Sequence, residues 1–157
     1  MNSVEKTTDF TKARNYVFTL LKFRNRSEQE IRGKLKNKKY APETIEQTIL
    51  YLVNVHFIDD RQFARDWIKA RLMKPFGLKR ISFELQQKGI NSGIIQEEIA
   101  AAKVDFPEEK IVVSLSKKAA LRYKGLEPIK LKQRVFGYLS RRGFSIEIIQ
   151  KAVKQLC

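Results

Sequence analysis

The strongest constraint on how this chain can fold is an apolar pattern that occurs three times. Leu35, Leu85 and Leu139 occupy equivalent positions: four residues before them stand Ile31, Ile81 and Val135, and ten residues after them Ile45, Ile95 and Ile149. At five residues past each anchor come Tyr40, Ile90 and Phe144, and at fourteen past come Ile49, Ile99 and Val153. Five aligned columns are thus apolar in every copy, and a period of roughly fifty residues marks a row of small repeated units rather than one large core.

The spacing inside a copy predicts its local structure. An i, i+4 apolar pair puts two side chains on one helical face, and each copy has one such pair before and one after a turn. Gly89 and Gly143 stand where a helix ends on a left-handed residue, and Asn91 and Ser145 follow where a side-chain oxygen can cap the next helix. The first copy has Lys39 and Ala41 there, then Pro42, so its turn is expected to be the least regular.

A further helix precedes each pair. From about Phe10 to Arg24 the stripe Ala13, Tyr16, Val17, Leu20, Leu21 has helical spacing, and Ser27 to Glu30 reads as a capping box. Asp59 or Asp60 can cap a helix carrying Phe63, Ala64, Trp67, Ile68 and Leu72, ended by Pro75 and Gly77. Pro107 opens and Gly125 closes a third, bearing Ile111, Leu115 and Ala119. The expected fold is all-α: three tandem three-helix modules, helix-turn-helix-like, in an elongated, curved row where neighbours bury what each module alone would expose. The expected bounds are a flexible N-terminus over 1–9 and modules over 10–54, 55–105 and 106–157.

Charge narrows the function. The 32 Lys and Arg against 17 Asp and Glu leave a formal net charge of +15, far beyond the magnitude of about 2 to 8 that suits a soluble small domain, and favour a polyanionic partner. By region, 1–53 carries 11 basic and 6 acidic residues, 54–105 carries 9 and 7, and 106–157 carries 12 and 4. The start lacks the apolar core of a signal peptide and no stretch reaches the length of a membrane span, so a cytoplasmic, membrane-free protein is expected. The one cysteine, Cys157, cannot form an intramolecular disulfide.

Catalysis finds little footing. His56, the single histidine, lies in an apolar run at a helix end and reads as a packing or hydrogen-bonding residue. Asp59 and Asp60 precede a helix and read as caps, and no phosphate loop of the G-x-x-x-x-G-K-[ST] type is present. No catalytic residue, metal site or cofactor is expected. The helix-turn-helix spacing of Leu85, Gly89 and Ile95 raises a DNA-reading alternative. The helices after the turns argue against it: 42–54 has no Lys or Arg and carries Glu43 and Glu46, and the next carries Glu97 and Glu98. Basic residues concentrate before the turns, as in Arg61, Arg65 and Lys69, Lys79 and Arg80, Lys130 and Arg134, and Arg141 and Arg142.

Three sequence stretches carry a resemblance to a known family. They are Arg26-Ser27-Glu28 leading to Glu30-Ile31 and Leu35; Phe57-Ile58-Asp59-Asp60 with Phe63-Ala64; and Gly77-Leu78-Lys79-Arg80-Ile81 with Glu84-Leu85 and Lys88-Gly89-Ile90. In this order, on the threefold repeat, the chain resembles the bacterial RecX family of RecA regulators. A departure is Phe76, which stands before Gly77 where the family often has lysine. The resemblance implies a non-enzymatic protein that lodges in the groove of a RecA filament on single-stranded DNA. It also implies limits on filament extension, ATP hydrolysis, strand exchange and the co-protease action on LexA. On that reading Lys79, Arg80, Lys88, Lys132, Arg134, Arg141 and Arg142 are expected to meet acidic RecA surface or DNA phosphate, from a monomeric protein. The alternative is a basic DNA-binding module that acts without RecA.

Overall fold

The computed structural model describes residues 3–156, with side chains described from Thr7 onward. Nine helices and no strand occur among the described residues. The first module holds α1 (Ser3–Phe23), α2 (Glu28–Asn37) and α3 (Pro42–Asn54). The second holds α4 (Asp60–Leu72), α5 (Leu78–Gln87) and α6 (Ser92–Lys103), and the third α7 (Glu108–Arg122), α8 (Pro128–Arg141) and α9 (Ile146–Lys154). The N-terminal stretch read as loose is helical from Ser3, and Phe10 meets the Tyr51 ring edge-on at 5.7 Å, which extends the contact of α1 with α3. Met1, Asn2 and Cys157 lie outside the described residues.

Each module closes its own core. Ala13, Val17, Ile31, Leu35, Ile49, Leu52 and Ile58 are buried together in the first; Phe63, Ala64, Ile68, Leu78, Ile81, Leu85, Ile90 and Ile95 in the second. The third buries Val112, Ala119, Val135, Leu139, Phe144, Ile149, Ala152 and Val153. The anchors Leu35, Leu85 and Leu139, and the residues four before them, are fully buried in every copy. Only Phe106 packs against two of these cores, those of the second and third modules. Neighbours therefore do not complete one another's apolar interiors as the repeat suggested. The accessible surface, 10492 Å², exceeds the roughly 8,200 Å² of a compact monomer of this mass, as an extended row requires.

Several local expectations change. On α7 the fully buried stripe is Val112, Ser116 and Ala119, and Ile111 and Leu115 flank it half-buried. Trp67 is only partly buried, because its indole N–H reaches outward to Glu84 Oε2 at 3.0 Å. Asp59 caps α4 by accepting from the Gln62 N–H at 2.9 Å, and Asn91 caps α6 by accepting from the Gly93 N–H at 2.8 Å. Ser145 does not cap α9. Its N–H and Oγ–H donate instead to the two carboxylate oxygens of Glu108, at 2.7 and 2.8 Å, tying the start of α9 to the start of α7.

The first turn is no less regular than the others. Lys39 adopts φ 61°, beside 74° at Gly89 and 81° at Gly143, and the same two backbone bonds close the first two turns: Tyr40 to Leu35, and Lys39 to Lys36, recur as Ile90 to Leu85 and Gly89 to Gln86, while the third turn shares the shorter one, Gly143 to Ser140. What distinguishes the glycines is their neighbours. A Cβ on Gly89 would lie 2.5 Å from Gln29 Cβ, and one on Gly143 would lie 2.3 Å from the Arg80 nitrogen. The turn of each later module is pressed onto the start of the second helix of the module before it.

These two joints hold the row together. At the first, buried Ser27 donates its hydroxyl to the Lys88 carbonyl at 2.6 Å, and the Glu28 N–H donates to Asp60 Oδ1 at 2.8 Å. Lys88 Nζ reaches Glu30 Oε1 at 2.7 Å. At the second, the Gly77 N–H donates to the Arg142 carbonyl at 2.8 Å and the Lys79 N–H to the Gly143 carbonyl at 3.2 Å. In both, a carbonyl at one helix's C-terminal end accepts from a donor at the N-terminal start of another, where polar groups lack partners within their own helix.

The glycine turns give a stability test. Gly143→Ala adds a Cβ at positive φ against backbone and should cost roughly 2 to 5 kcal/mol, whereas Lys39→Gly relieves a left-handed side chain that nothing presses on and should be neutral or stabilising by up to about 1 kcal/mol. Urea midpoints of the two variants, moving in opposite directions, check this. Equal losses would refute the docking role of the glycine.

The first joint also carries a pH signature. Burial pushes the Glu30 carboxyl up, but hydrogen bonds from Arg24, Lys88 and the Ser27 N–H, with the Lys88 charge, outweigh it and bring the carboxyl down from 4.5 to about 2. Asp60 moves the other way: burial holds it above 3.8 against the lowering bond from the Glu28 N–H, helped by the charges of Glu28, Asp59 and Glu30. A depressed carboxyl contributes stability that is complete above its unfolded value and is lost as pH falls through its folded one. The advantage of the wild type over Glu30→Gln should therefore be full above pH 4.5 and vanish toward about 2. Comparing the two proteins at each pH largely cancels the opposite contribution of Asp60, which acidification relieves. Urea midpoints across that window provide the measurement, and a gap that stays constant would contradict it.

Candidate partner-binding face

Acidic residues are not spread evenly among the cations. Nine of the ten ion pairs among the described residues lie in the first two modules. Arg61 and Arg65 of α4 both engage Glu98 of α6, at 2.8 and 2.9 Å, and Arg61 also engages Glu97. Arg32 of α2 pairs with Glu28 and with Glu46 of α3. The acids on the helices after the turns thus pair with cations on the basic helices before them. In the third module the only pair is Lys130 with Glu127, at 3.6 Å and well exposed.

The seven cations singled out in the sequence fall into three settings. Lys132, Arg134 and Arg141 ride on α8 without an ion pair, Lys132 half-buried and the other two exposed. Lys79, at the start of α5, borders a hollow of about 330 Å³ shared with Lys103, Glu108 and Ser145. Lys88, Arg80 and Arg142 sit at the two joints. Lys88 lies 5.1 Å from the Trp67 ring centroid while paired with Glu30, and Arg80 and Arg142 meet across the second joint.

That meeting involves residues the sequence reading passed over. Around the half-buried ring of Phe76 stand Arg80 at 4.0 Å, Arg71 at 5.5 Å and Arg142 at 5.8 Å from its centroid. Arg71 also lies 4.9 Å from the Trp67 ring, and Arg142 lies 4.7 Å from that of Tyr138. Glu84 organises the group: its Oε2 accepts from Arg71 Nε at 2.6 Å and from Trp67, and its Oε1 accepts from Arg80 Nε at 3.2 Å. Burial pushes the Glu84 carboxyl up, but these three donors hold it below 4.5. The available signal was helical spacing: Trp67 with Arg71, Arg80 with Glu84, and Tyr138 with Arg142 are each four residues apart.

Other features offer less chemistry. His56 is exposed, at φ 59°, in the turn that ends α3, and it joins Asn15, Phe18, Lys22 and Phe57 around an open hollow of about 810 Å³. No group of three or more His, Cys, Asp or Glu side chains is placed to hold a metal ion among the described residues, and no helix there is long and apolar enough to cross a membrane.

The arrangement of units has counterparts in known proteins. Three family models match in chain order, one to each module: "RecX, first three-helix domain" over residues 13–52, the second domain over 59–99 and the third over 108–153. "Regulatory protein RecX" of Prosthecochloris aestuarii is 35% identical over 150 residues, covering 95% of this chain and 96% of the relative. The protein of that name from Pasteurella multocida is 35% identical over 136 residues, covering 86% and 82%. The crystal structure of RecX from Lactobacillus salivarius superposes with a TM-score of 0.82 over 96% of this chain and 97% of that one, at 23% identity, a likeness of fold. With every three-helix unit matched in its place and relatives a third identical along nearly the whole length, the chain belongs to the RecX family.

Proposed function

We propose that this protein regulates the RecA recombinase by binding, not by catalysis, lodging in the groove of the RecA filament on single-stranded DNA. There it limits filament extension, ATP hydrolysis, strand exchange and LexA co-protease action. The observation that carries this reading is the full set of RecX units in order, on a chain whose relatives bear the name of a regulatory protein. The row of separately closed modules supports it, since an extended body can follow a helical groove without a pocket. So does the uneven charge: the third module, with 12 basic and 4 acidic residues and a single exposed ion pair, leaves its cations available to a polyanionic surface. Lys79, Arg80, Lys88, Lys132, Arg134, Arg141 and Arg142 form the proposed contact set. A cytoplasmic, monomeric protein completes the proposal, its first module reaching from Ser3 to Ile58 instead of over 10–54.

The test is to titrate the protein into a reaction in which the cognate RecA hydrolyses ATP on single-stranded DNA. Suppression below one protein per RecA subunit is expected, and no effect at any ratio would sink the reading. Arg134→Glu with Arg141→Glu reverses two exposed cations that lack ion pairs, so the fold should persist while the concentration for half-suppression rises roughly tenfold. Unchanged potency would remove α8 from the contact set.

A further inference from the structure

The convergence on Phe76 is more than the helical repeat requires. Arg71 comes from α4, Arg80 from α5 and Arg142 from the end of α8, and all three guanidinium carbons lie within 5.8 Å of one ring centroid. A single carboxylate, Glu84, faces them, leaving an excess of two positive charges. Gathering like charges this closely has a cost that an anion placed among them would offset. We infer that Arg71, Arg80 and Arg142, held around Phe76, form a seat for a phosphodiester of single-stranded DNA at the joint of the second and third modules. The inference rests on the reading that the protein binds a DNA-bearing filament.

The hydrogen bonds already made leave the forks usable. Arg71 and Arg80 give Nε to Glu84, which keeps the terminal amines of both free. Arg142 gives Nη1 to the Pro75 carbonyl at 3.0 Å and retains Nη2. The Glu84 and Pro75 oxygens hold the three guanidiniums near the Phe76 ring, and Arg71 and Arg80 remain partly exposed, at 26% and 39% of their side chains. Pre-set forks arriving from three helices suit the several oxygens of a tetrahedral phosphate better than a flat carboxylate, which one or two forks saturate. A chain of phosphates fits better than a free one. Arg71 bridges the Phe76 and Trp67 rings, and Lys88, though also paired with Glu30, lies over Trp67 beyond it. A polyanion can engage both ring sites at once.

The experiment needs no RecA. Binding of a fluorescein-labelled oligothymidylate is followed by anisotropy across a series of salt concentrations. For single strands the logarithm of affinity falls with that of salt by about 0.7 per phosphate neutralised, so Arg71→Gln with Arg142→Gln, which takes apart the seat of one phosphodiester, should flatten the slope by about 0.7. Phe76→Leu keeps every charge, so its slope should hold while affinity falls roughly threefold through loss of the ring beneath the guanidiniums. Emission of Trp67, the only tryptophan, should change with the oligonucleotide and not with inorganic phosphate at equal phosphate concentration.

An unchanged slope in the double variant, with melting curves showing it folded, overturns the seat, as does unaltered affinity in Phe76→Leu. An equal response of Trp67 to inorganic phosphate overturns the assignment to DNA. If the double variant binds oligothymidylate normally but no longer suppresses RecA, the cations meet acidic protein surface, and the phosphate seat falls while the regulatory reading stands. A wild type inert toward RecA that still shows the slope change has the reverse meaning.

Discussion

The close approach of a left-handed turn to the start of a neighbouring helix is the contact on which the arrangement of this protein depends. Each module buries its own leucine and isoleucine core, so little apolar surface remains to bind one module to the next. The joints rely on polar groups that a helix cannot satisfy by itself: free N–H donors at one end, free carbonyls at the other. Bringing the end of α8 onto the start of α5 pairs such groups directly, and where the end of α5 meets the start of α2 side chains complete them, the Ser27 hydroxyl on the Lys88 carbonyl and the Asp60 carboxylate on the Glu28 N–H. Such a contact is short-ranged and directional. It fixes how successive modules meet, where an apolar face would allow sliding.

The same geometry separates charges by module. In the first two, acids on the third helix and at the joints neutralise the arginines of the first and second helices, as in Arg61 and Arg65 with Glu98 or Lys88 with Glu30. In the third module the acid nearest the structural need, Glu108, is occupied with the Ser145 N–H and hydroxyl. Among the described residues its cations have Glu127 alone as an ion-pair partner. The row thus presents more open charge at its third module, while part of the charge of the first two is taken up in ion pairs.

Much of this was legible in the residues. The columns at Leu35, Leu85 and Leu139 and the glycines at 89 and 143 specify helices and turns, because burial and left-handed backbone each leave a local mark. The joints were not legible. That Asp60 accepts from Glu28, or that Ser145 serves α7 instead of its own helix, depends on residues 32 and 37 positions away, and no local spacing encodes them. The contact set was legible only in part for the same reason. Arg80 and Arg142 stand out as cations, but Phe76 looks like a departure from a family lysine until the fold puts three guanidiniums around its ring.

The two outer modules depart from the geometry of the interior joints. The position equivalent to Ser27 and Gly77 in the third module is Leu131, which lies inside α8, since that helix starts at Pro128 and its Leu131 N–H is already bonded to the Glu127 carbonyl at 2.9 Å. The extra turn occupies the place where another module would seat its own turn. At the opposite end, the turn of the first module has Lys39 in the left-handed position, and its side chain would collide with any helix approached as Gly89 and Gly143 approach theirs. One residue type at one end and one added helical turn at the other thus set the outer modules apart, so the directional contact is confined to the two interior joints.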